Sequence, residues 1–271
     1  MITVNTCGGI GNQLFQYAYA RTLHGNVQLL NNCTQYESSL YRFNIRLPFT
    51  VQPEGRWISE RSLRYDYSPE VEDPCILAGY YQCENYFKHI ENELRAEVTL
   101  REALSTTAQQ FAALIEQQTN SVMLHVRRGD YLTWAAQRHG TLSMGYYLKA
   151  ASYFANPHFF VFSDDATYNF TLPYPMTKVN CTPHEDLWLM SLCKNAIIAN
   201  SSFSWWGAWL GADRTGTVIA PQQWLRTGNS DAQDIVPERW IKVGSDESTQ
   251  LEIVSPGTIQ AATRKPMRRL L

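Results

Sequence analysis

The stretch SVMLHVRRGDY, residues 121–131, begins as an apolar strand and ends in charged and polar side chains. Similar short apolar runs occur at 158–165, 195–202 and 215–221, and segments with helical patterns separate them. Strands that alternate with helices build a parallel sheet with crossover helices. In open sheets of this kind, ligands bind beyond the carboxyl ends of the strands. The sequence therefore predicts an α/β fold whose binding residues follow its strands.

Helix signals support this alternation. Near the amino terminus, the short strand MITVN leads through TCGGIG into a helix that ends at Gly25. A later helix is expected to be capped by Ser105 or Thr106. Residues 31–75 are rich in Asn, Ser, Pro and Tyr and allow no assignment. The helix expected before the third apolar run has a capping box with proline at its first position, formed by Thr182, Pro183 and Glu185.

Composition excludes several classes of protein. The 271 residues include 23 basic and 25 acidic side chains, and the formal charge of −2 offers no general attraction for nucleic acid or an anionic membrane. The six cysteines form no CxxC pair, which predicts reduced thiols and no structural zinc site. The amino terminus lacks a basic segment followed by an apolar one, and no apolar run approaches the roughly 18 residues of a membrane span. A cytoplasmic protein is expected.

The carboxyl-terminal stretch ATRKPMRRLL, residues 262–271, combines four basic side chains with apolar ones. Such a tail can hold a peripheral enzyme on the inner face of an anionic membrane. A solvated, frayed terminus explains the same residues. Both interpretations stay open at this point.

The loop after the strand at 121–126 is the first candidate site. Adjacent side chains at a strand end point to opposite faces, so one of Arg127 and Arg128 can face a ligand while the other pairs with Asp130. A guanidinium group binds two oxygens of a diphosphate at once and keeps its charge at any working pH. An Arg/Asp surface pair beside a half-buried His125 is the alternative.

The glycine-rich turn is the second candidate. Gly8, Gly9 and Gly11 lie between a strand and a helix, where backbone N–H groups can approach a phosphate or a sugar. The dinucleotide fingerprint fails, because Leu14 occupies the position of its third glycine. No Walker lysine follows the turn either, so neither NAD nor a P-loop nucleotide is expected. Tight packing of the strand against the helix explains the glycines equally well.

Two further clusters follow strands. Asn200, Ser201, Ser202 and Phe203 precede a tryptophan-rich helix, where hydroxyl and amide groups cap the helix or bind phosphate. The spacing of Trp205, Trp206 and Trp209 favours a packed core face over a stacking platform. Ser163, Asp164 and Asp165 end another strand without the intervening residue of a metal-binding DxD motif. We therefore expect these aspartates to accept hydrogen bonds from a ligand or a loop, and we expect no metal site.

Five blocks of the chain resemble those of bacterial α-1,2-fucosyltransferases, glycosyltransferase family 11. They are GGIGNQLFQYAYA, GYYQCENYF, HVRRGDY, VFSDD and EDLWLMSLCKNAIIANSSFSWWGAWL, in the family's order from residue 8 to residue 210. The resemblance implies a GT-B-like α/β fold of two Rossmann-type halves with the active site in the cleft between them. We place an acceptor half with the glycine-rich turn at 1–115 and a Rossmann-like, GDP-fucose-binding half at 116–271.

The resemblance also implies the reaction. It is an inverting transfer of fucose from GDP-β-L-fucose to O2 of a terminal β-galactose, without metal or cofactor. Acceptors would be lactose, N-acetyllactosamine-type glycans or a lipid-linked glycan. Two alternatives stay open: a fucosyltransferase that forms an α-1,6 or α-1,3 linkage, and a non-catalytic module that binds a GDP-sugar without consuming it.

Site residues follow from a more distant likeness to α-1,6-fucosyltransferases. His125 and Arg127 or Arg128 would contact the diphosphate, Asp186 would accept from guanine, and Ser202 would reach the β-phosphate. The cleft between the halves would be lined by Gly9, Gly11, Asn12 and Gln13. To the donor site we add the clustered residues Asp164, Asn200, Ser201 and Phe203.

The general base stays open in the sequence. The α-1,6 relatives have a glutamate about ten residues after the motif histidine, and this chain has Ala135 there. Asp130 is the leading candidate by type and position, although it can equally serve to orient an arginine. We assign catalysis to Asp130, Arg128 and His125, and expect that replacing Arg128 by alanine removes most of the activity.

Overall fold

The computed structural model of the protein describes residues 1–33, 39–66, 71, 73–211, 216–227 and 232–244. The basic tail at 262–271 lies outside these residues, so its contact with a membrane stays a prediction. Among the helices of the described ranges, none has the length and apolar character that a membrane crossing requires. All six cysteines are described, and none is in a disulfide bond.

The first half of the chain forms a sheet of five parallel strands in the order β3-β2-β1-β5-β4. The helix that follows the glycine-rich turn joins its first two strands and buries almost all of its residues. Two further helices follow the sheet. The elements are β1 (Ile2–Thr6), α1 (Ile10–Ala20), β2 (Val27–Asn31), β3 (Phe49–Thr50), β4 (Arg56–Ser59), β5 (Cys75–Ala78), α2 (Glu91–Glu97) and α3 (Thr106–Gln117).

The second half forms a sheet of six parallel strands. Its elements are β6 (Ser121–Val126), α4 (Met144–Ala151), β7 (His158–Ser163), β8 (Met176–Val179), α5 (Pro183–Leu192), β9 (Asn195–Ile197), α6 (Ser202–Leu210), β10 (Val218–Pro221) and β11 (Ile241–Val243). The order β8-β7-β6-β9-β10-β11 is that of a dinucleotide-binding sheet, and the winding reverses between β6 and β9. Two Rossmann-type halves in one chain make a GT-B-like fold, which confirms the predicted class.

Several local predictions are confirmed. The Ser105 hydroxyl caps α3 by accepting from the N–H of Ala108 at 3.2 Å. Thr182 and Glu185 form the capping box of α5, with proline at its start. The spacing of Tyr86, Phe87, Ile90 and Leu94 predicts one helix with these side chains on one side, which is wrong in part, because two 3₁₀ turns precede α2 there. Phe87 leaves the helical region with φ −132° and ψ 2°, and its ring is fully buried.

The two halves share one hydrophobic core. Phe15 of α1 lies 4.5 Å from Trp205 of α6 between ring centroids, and Phe87 stacks on Trp206 at 5.5 Å. The indole N–H of Trp209 donates to Glu84 at 3.2 Å. The prediction that the tryptophans pack is confirmed, and Phe15, Phe87 and Glu84 among their partners are in the other half of the chain.

The helix α3 packs against α5 of the second half. The backbone N–H of Ser105, its cap, donates to the buried carboxylate of Glu185 at 2.7 Å. The segment between the two sheets is thereby fastened to the second one. The division of the chain at residues 115 and 116 stays a prediction.

Candidate functional site

The carboxyl ends of both sheets meet where α1 and α6 begin. The first turn of α1 lies so close to that of α6 that a Cβ on Gly11 would be 2.3 Å from the carbonyl carbon of Ser202. Helix amino termini carry unpaired N–H groups and the positive end of the helix dipole. The contact therefore brings two such ends together beside the reversal between β6 and β9, where open α/β sheets bind their ligands.

The loop after β6 holds its two arginines on different carboxylates. Arg127 binds Asp130 at 2.6 Å and Asp164 at 3.1 Å, and its guanidinium lies 5.3 Å from the ring of Tyr131. Arg128 binds Asp165 at 3.1 Å. The pairing of one arginine with Asp130 is as predicted, and the other arginine is paired as well.

The two arginines face opposite sides of the sheet. His125 packs against Phe203 of α6, with ring centroids 5.6 Å apart. The Arg127 guanidinium lies against Tyr131, whose hydroxyl donates to the backbone carbonyl of Asn200 just before α6. Arg128 lies over the ring of Tyr168 at 3.7 Å, on the other side. Arg127 therefore faces the meeting point of α1 and α6, and Arg128 faces away from it.

Around this loop, carboxylates outnumber the arginines that bind them. Arg127 and Arg128 are bound to three carboxylates, those of Asp130, Asp164 and Asp165. His125 adds no positive charge, because burial and then the neighbouring Arg127 lower its pKa to about 3. An anion bound here has to replace a carboxylate on an arginine or use the helix N–H groups.

His125 is enclosed but not fully satisfied. Its side chain is 2% exposed, and among the described residues its Nδ1 has no hydrogen-bond partner. A neutral imidazole offers one donor and one acceptor. Because of this low pKa, His125 is uncharged at neutral pH and cannot act as a general acid. Its predicted contact with a ligand would be a hydrogen bond of the neutral imidazole.

Ser201, Ser202 and Phe203 form the start of α6. Ser201 is its cap residue without a side-chain hydrogen bond to the first turn, and Phe203 packs on His125. The position allows backbone N–H groups to bind an oxyanion. The predicted contacts of these residues with the donor stay predictions.

Asn200 fastens three loop positions. Its amide nitrogen donates to the carbonyls of His139, Gly140 and Trp224 at 3.2 to 3.3 Å. The backbone carbonyl of Asn200 accepts from the Tyr131 hydroxyl at 2.8 Å. The residue is 2% exposed and positions the loops after β6 and β10, and its predicted contact with the donor stays a prediction.

The glycine-rich turn has side-chain supports. Asn12 accepts from Gln82 at 2.7 Å, and Gln13 donates to the Gly8 carbonyl at 2.8 Å while it accepts from the N–H of Ser39. Gln13 is fully buried, so it holds the turn from behind and does not line the cleft. Gly9 has open space where a Cβ would be, which suits its predicted position on the cleft.

Sequence reasoning missed Gln16. It is fully buried in α1, accepts from the N–H of Cys7 at 2.9 Å and donates to the Gly79 carbonyl at 2.8 Å. It thereby joins the loops after β1 and β5. A glutamine among the apolar residues of a buried helix is the signal that could have identified it.

Asp186 lies in the first turn of α5, beyond β8. Its carboxylate accepts from the N–H of Cys181 at 3.0 Å. Burial, and secondly the charge of Glu185, raise its pKa to about 6. A carboxylate that is costly to ionise gains from a ligand that donates to it.

A pocket of about 720 Å³ opens between the halves, beyond β4 and β5 on one side and the loops after β6 and β10 on the other. Tyr80, an aromatic residue of its lining, is 38% exposed. Within the described ranges, no three His, Cys, Asp or Glu side chains gather where they could hold a metal ion. The polar residues of the pocket include Glu60, Arg61, Tyr80, Gln137, Arg138 and Thr227.

Comparison with known proteins gives a family and a fold. The protein-family model described as Glycosyl transferase family 11 matches residues 1–244 of the sequence. An alpha-1,2-colitosyltransferase of Escherichia coli is 33% identical over 270 residues, which cover 83% of this chain and 92% of the relative. A galactoside alpha-(1,2)-fucosyltransferase 1 of Aotus azarae is 27% identical over 245 residues, with 79% of this chain and 66% of the relative covered.

A solved structure shows the same architecture. A glycosyl transferase of family 9 from Veillonella parvula DSM 2008 superposes with a TM-score of 0.50 at 10% identity, over 92% of this chain and 88% of that chain. At this identity the likeness concerns the fold alone. It agrees with the two parallel sheets described above.

Proposed function

The chain belongs to glycosyltransferase family 11, and from this premise we propose that it is an inverting galactoside 2-α-L-fucosyltransferase. It moves fucose from GDP-β-L-fucose to O2 of a terminal β-galactose, without a metal ion. The linkage is supported by the names of two relatives, an alpha-1,2-colitosyltransferase and a galactoside alpha-(1,2)-fucosyltransferase.

One observation carries the proposal: the contact between Gly11 and Ser202, which brings the amino termini of α1 and α6 together. The Arg127 loop is tied to the start of α6 through Tyr131, whose hydroxyl donates to the backbone carbonyl of Asn200. The departing group of the reaction is a diphosphate, whose negative charge grows as the bond to the sugar breaks. Fixed N–H groups and a guanidinium at that point stabilise the developing charge. A transferase for GDP-sugars needs such a set of donors at one place.

The donor is assigned along the carboxyl edge of the second sheet. Asp186, beyond β8, would accept from the N–H groups of guanine, which relieves the cost of its ionisation. The diphosphate would lie at the reversal between β6 and β9, against Arg127 and the first turn of α6. The sugar would then project toward the first half of the chain.

Arginine is proposed to do the work of a metal in this site. Because Arg127 is held by Asp130 and Asp164, phosphate oxygens would replace at least one of these carboxylates. A bidentate arginine keeps the diphosphate in place while the bond to the sugar breaks. Asp130 acts in this arrangement by orienting Arg127, which is the alternative role that the sequence left open.

A second donor is favoured by one comparison. The 33% identical relative bears the name of a colitosyltransferase, and colitose is a fucose that lacks one ring hydroxyl. The same diphosphate and guanine contacts serve both donors. Only the pocket around the missing hydroxyl distinguishes them.

The test is proton NMR of the purified protein with lactose and either GDP-fucose or GDP-colitose, each in excess EDTA and in added magnesium or manganese. A new α-anomeric signal with a through-space contact to H2 of galactose, formed in EDTA, supports the proposal. Boiled protein is the control. Donor binding is measured in parallel by calorimetry.

Other results have specific meanings. Transfer that occurs only with added metal contradicts the role of arginine, and a contact to another galactose proton assigns another linkage. Transfer from GDP-colitose alone selects the second donor. Donor that binds and is not consumed with any acceptor supports a binding module.

A further inference from the structure

The pocket between the halves has the composition of a sugar site. It combines a carboxylate, two guanidinium groups, an amide and the hydroxyls of Ser62 and Thr227 with the exposed ring of Tyr80. Sugars bind to polar groups that fix their hydroxyls and to aromatic rings that pack on their faces. A volume of about 720 Å³ is within the usual range for small-molecule sites.

The pocket shares one loop, between β6 and α4, with the predicted donor site. Its wall from the second half consists of Gln137 and Arg138, which follow the Arg127 loop, and of residues after β10. Asn200 binds the carbonyls of His139 and Trp224 and so fixes both parts of this wall. Asp186 lies beyond β8, at the opposite end of the sheet edge. The pocket is therefore on the side where the donor sugar would end.

The Glu60 carboxylate forms the opposite wall, directly after β4. Its Oε2 accepts from the N–H of Tyr80 at 2.7 Å, and its Oε1 accepts from the N–H of Tyr81 at 3.1 Å. Each oxygen of a carboxylate can accept a second hydrogen bond. The two backbone bonds therefore fix the orientation of Glu60 and leave capacity for a ligand hydroxyl.

We propose that this interdomain pocket holds the acceptor sugar and that Glu60 accepts the proton of the attacking hydroxyl. The proposal rests on the proposed function. The hydroxyl oxygen forms the bond to the anomeric carbon of the donor, the bond from that carbon to the phosphate oxygen breaks, and GDP leaves with its electron pair. The proton of the hydroxyl passes to the Glu60 carboxylate.

The surroundings of Glu60 suit a base. Burial raises its pKa, against the effect of the two backbone N–H groups. The titratable groups that face it are the hydroxyls of Tyr19, Tyr81 and Tyr86, all of which have raised pKa values because of burial. These phenols are neutral at working pH. Arg61 and Arg138 are the cations of the same pocket.

Asp130 is less suited to this role. Its Oδ1 accepts from both Nε and Nη2 of Arg127, at 3.1 and 2.6 Å. A proton on Asp130 would break this pair just when Arg127 is needed for the diphosphate. Glu60 is bound by neutral N–H groups and can be protonated without loss of an ion pair.

The test is kinetics of Glu60→Gln with GDP-fucose and lactose, together with the affinity for GDP by calorimetry. We expect kcat to fall at least about hundredfold, GDP affinity to stay within twofold, and the acidic limb of the kcat profile at saturating GDP-fucose to disappear. Tyr80→Ala removes the exposed ring and keeps the backbone N–H that binds Glu60. This variant should raise the lactose KM about tenfold. Glu54→Gln is the matched control, because Glu54 is exposed and does not line the pocket.

Contrary outcomes are separable. A folded Glu60→Gln protein with activity within threefold of wild type and an unchanged acidic limb overturns the role of Glu60. A Tyr80→Ala protein with an unchanged lactose KM overturns the assignment of the pocket. Both leave fucosyl transfer by the wild type standing, whereas wild-type protein that transfers no sugar overturns the proposed function and this inference with it.

Discussion

Gly11 and Ser202 lie in backbone contact, at a distance that leaves no room for a Cβ between the first turns of α1 and α6. The glycine therefore serves close packing of two helix ends from different halves of the chain. The sequence left two explanations for the glycine-rich turn, ligand approach and tight packing within one strand and helix. At Gly11 the packing partner is the other half of the protein.

Replacement of Gly11 by alanine should force the halves apart. The nearest atoms to the new methyl group are backbone atoms of Ser202 and Phe203, which cannot move as a side chain can. We expect a loss of about 3 kcal/mol in the free energy of unfolding and at least a hundredfold loss of transfer activity. Gly9→Ala is the control for stability, because open space surrounds that position. Equal melting temperatures for the two variants would refute the contact.

The arginines should differ in importance. Arg127 faces α6, so Arg127→Lys is expected to lower kcat/KM about hundredfold through the loss of bidentate binding. Arg128 lies over Tyr168 on the other side, and Arg128→Lys should cost about tenfold or less. Steady-state kinetics with varied GDP-fucose gives both values. The reverse order would restore Arg128 to the leading role that the sequence suggested.

Donor affinity should depend on pH through Asp186. Its pKa of about 6 in the free protein means that the carboxylate is protonated progressively below that pH and loses its capacity to accept from guanine. Between pH 6 and pH 5, GDP affinity should fall up to about tenfold. Asp186→Asn should bind weakly and show a flat profile over this range. Calorimetric titration of GDP checks this, with Glu93→Gln, an exposed carboxylate in α2, as the control.

The same residue should limit stability. Because the folded-state pKa of Asp186 is raised, the stability present at low pH is lost as the pH rises through about 6. Asp186→Asn should therefore be more stable than wild type at pH 8, by on the order of 2 kcal/mol, and equal to it near pH 4. Urea unfolding at the two pH values measures the difference. A variant that is less stable at pH 8 would contradict the burial of the charge.

Removal of the Asn200 amide should loosen the wall of the pocket. Asn200→Ala leaves the carbonyls of His139 and Trp224 without this donor, which should cost about 1–3 kcal/mol and raise the acceptor KM. If Asn200 contacts the donor as the sequence predicted, the donor KM rises instead. Asn195→Ala removes bonds at the opposite end of β9 and controls for lost stability alone.

The second half of the fold was predictable from sequence because its strands are buried. The sequences of β6 and β7 are mostly apolar, which is typical of buried strands. The capping box at Thr182 marked the start of α5. The edge strands β3 and β4 were missed, since they are short and mostly exposed and so carry no apolar pattern. Glu60 was missed for the same reason, because its position depends on β4.

The sequence predicted which residues form the site better than it predicted which residues they bind. The cluster of arginines and aspartates in the loops after β6 and β7 was expected, and the structure brings these residues together. Which aspartate binds which arginine depends on the register of β6 with β7, which no local pattern shows. Gln13 and Asn200 carry polar side chains that sequence reasoning assigned to a ligand, whereas their hydrogen bonds are with the protein's own loops.

The shared core of Phe15, Phe87 and the α6 tryptophans has a consequence for how such a molecule can be taken apart. Two units of similar architecture suggest a modular protein whose parts could be expressed, exchanged or fused separately. Here a cut between the sheets would expose the rings of Trp205, Trp206 and Trp209, all at most 1% exposed in the whole chain, to water. Chimeras that exchange one half between relatives therefore need to carry the aromatic residues of both sides as one inherited unit.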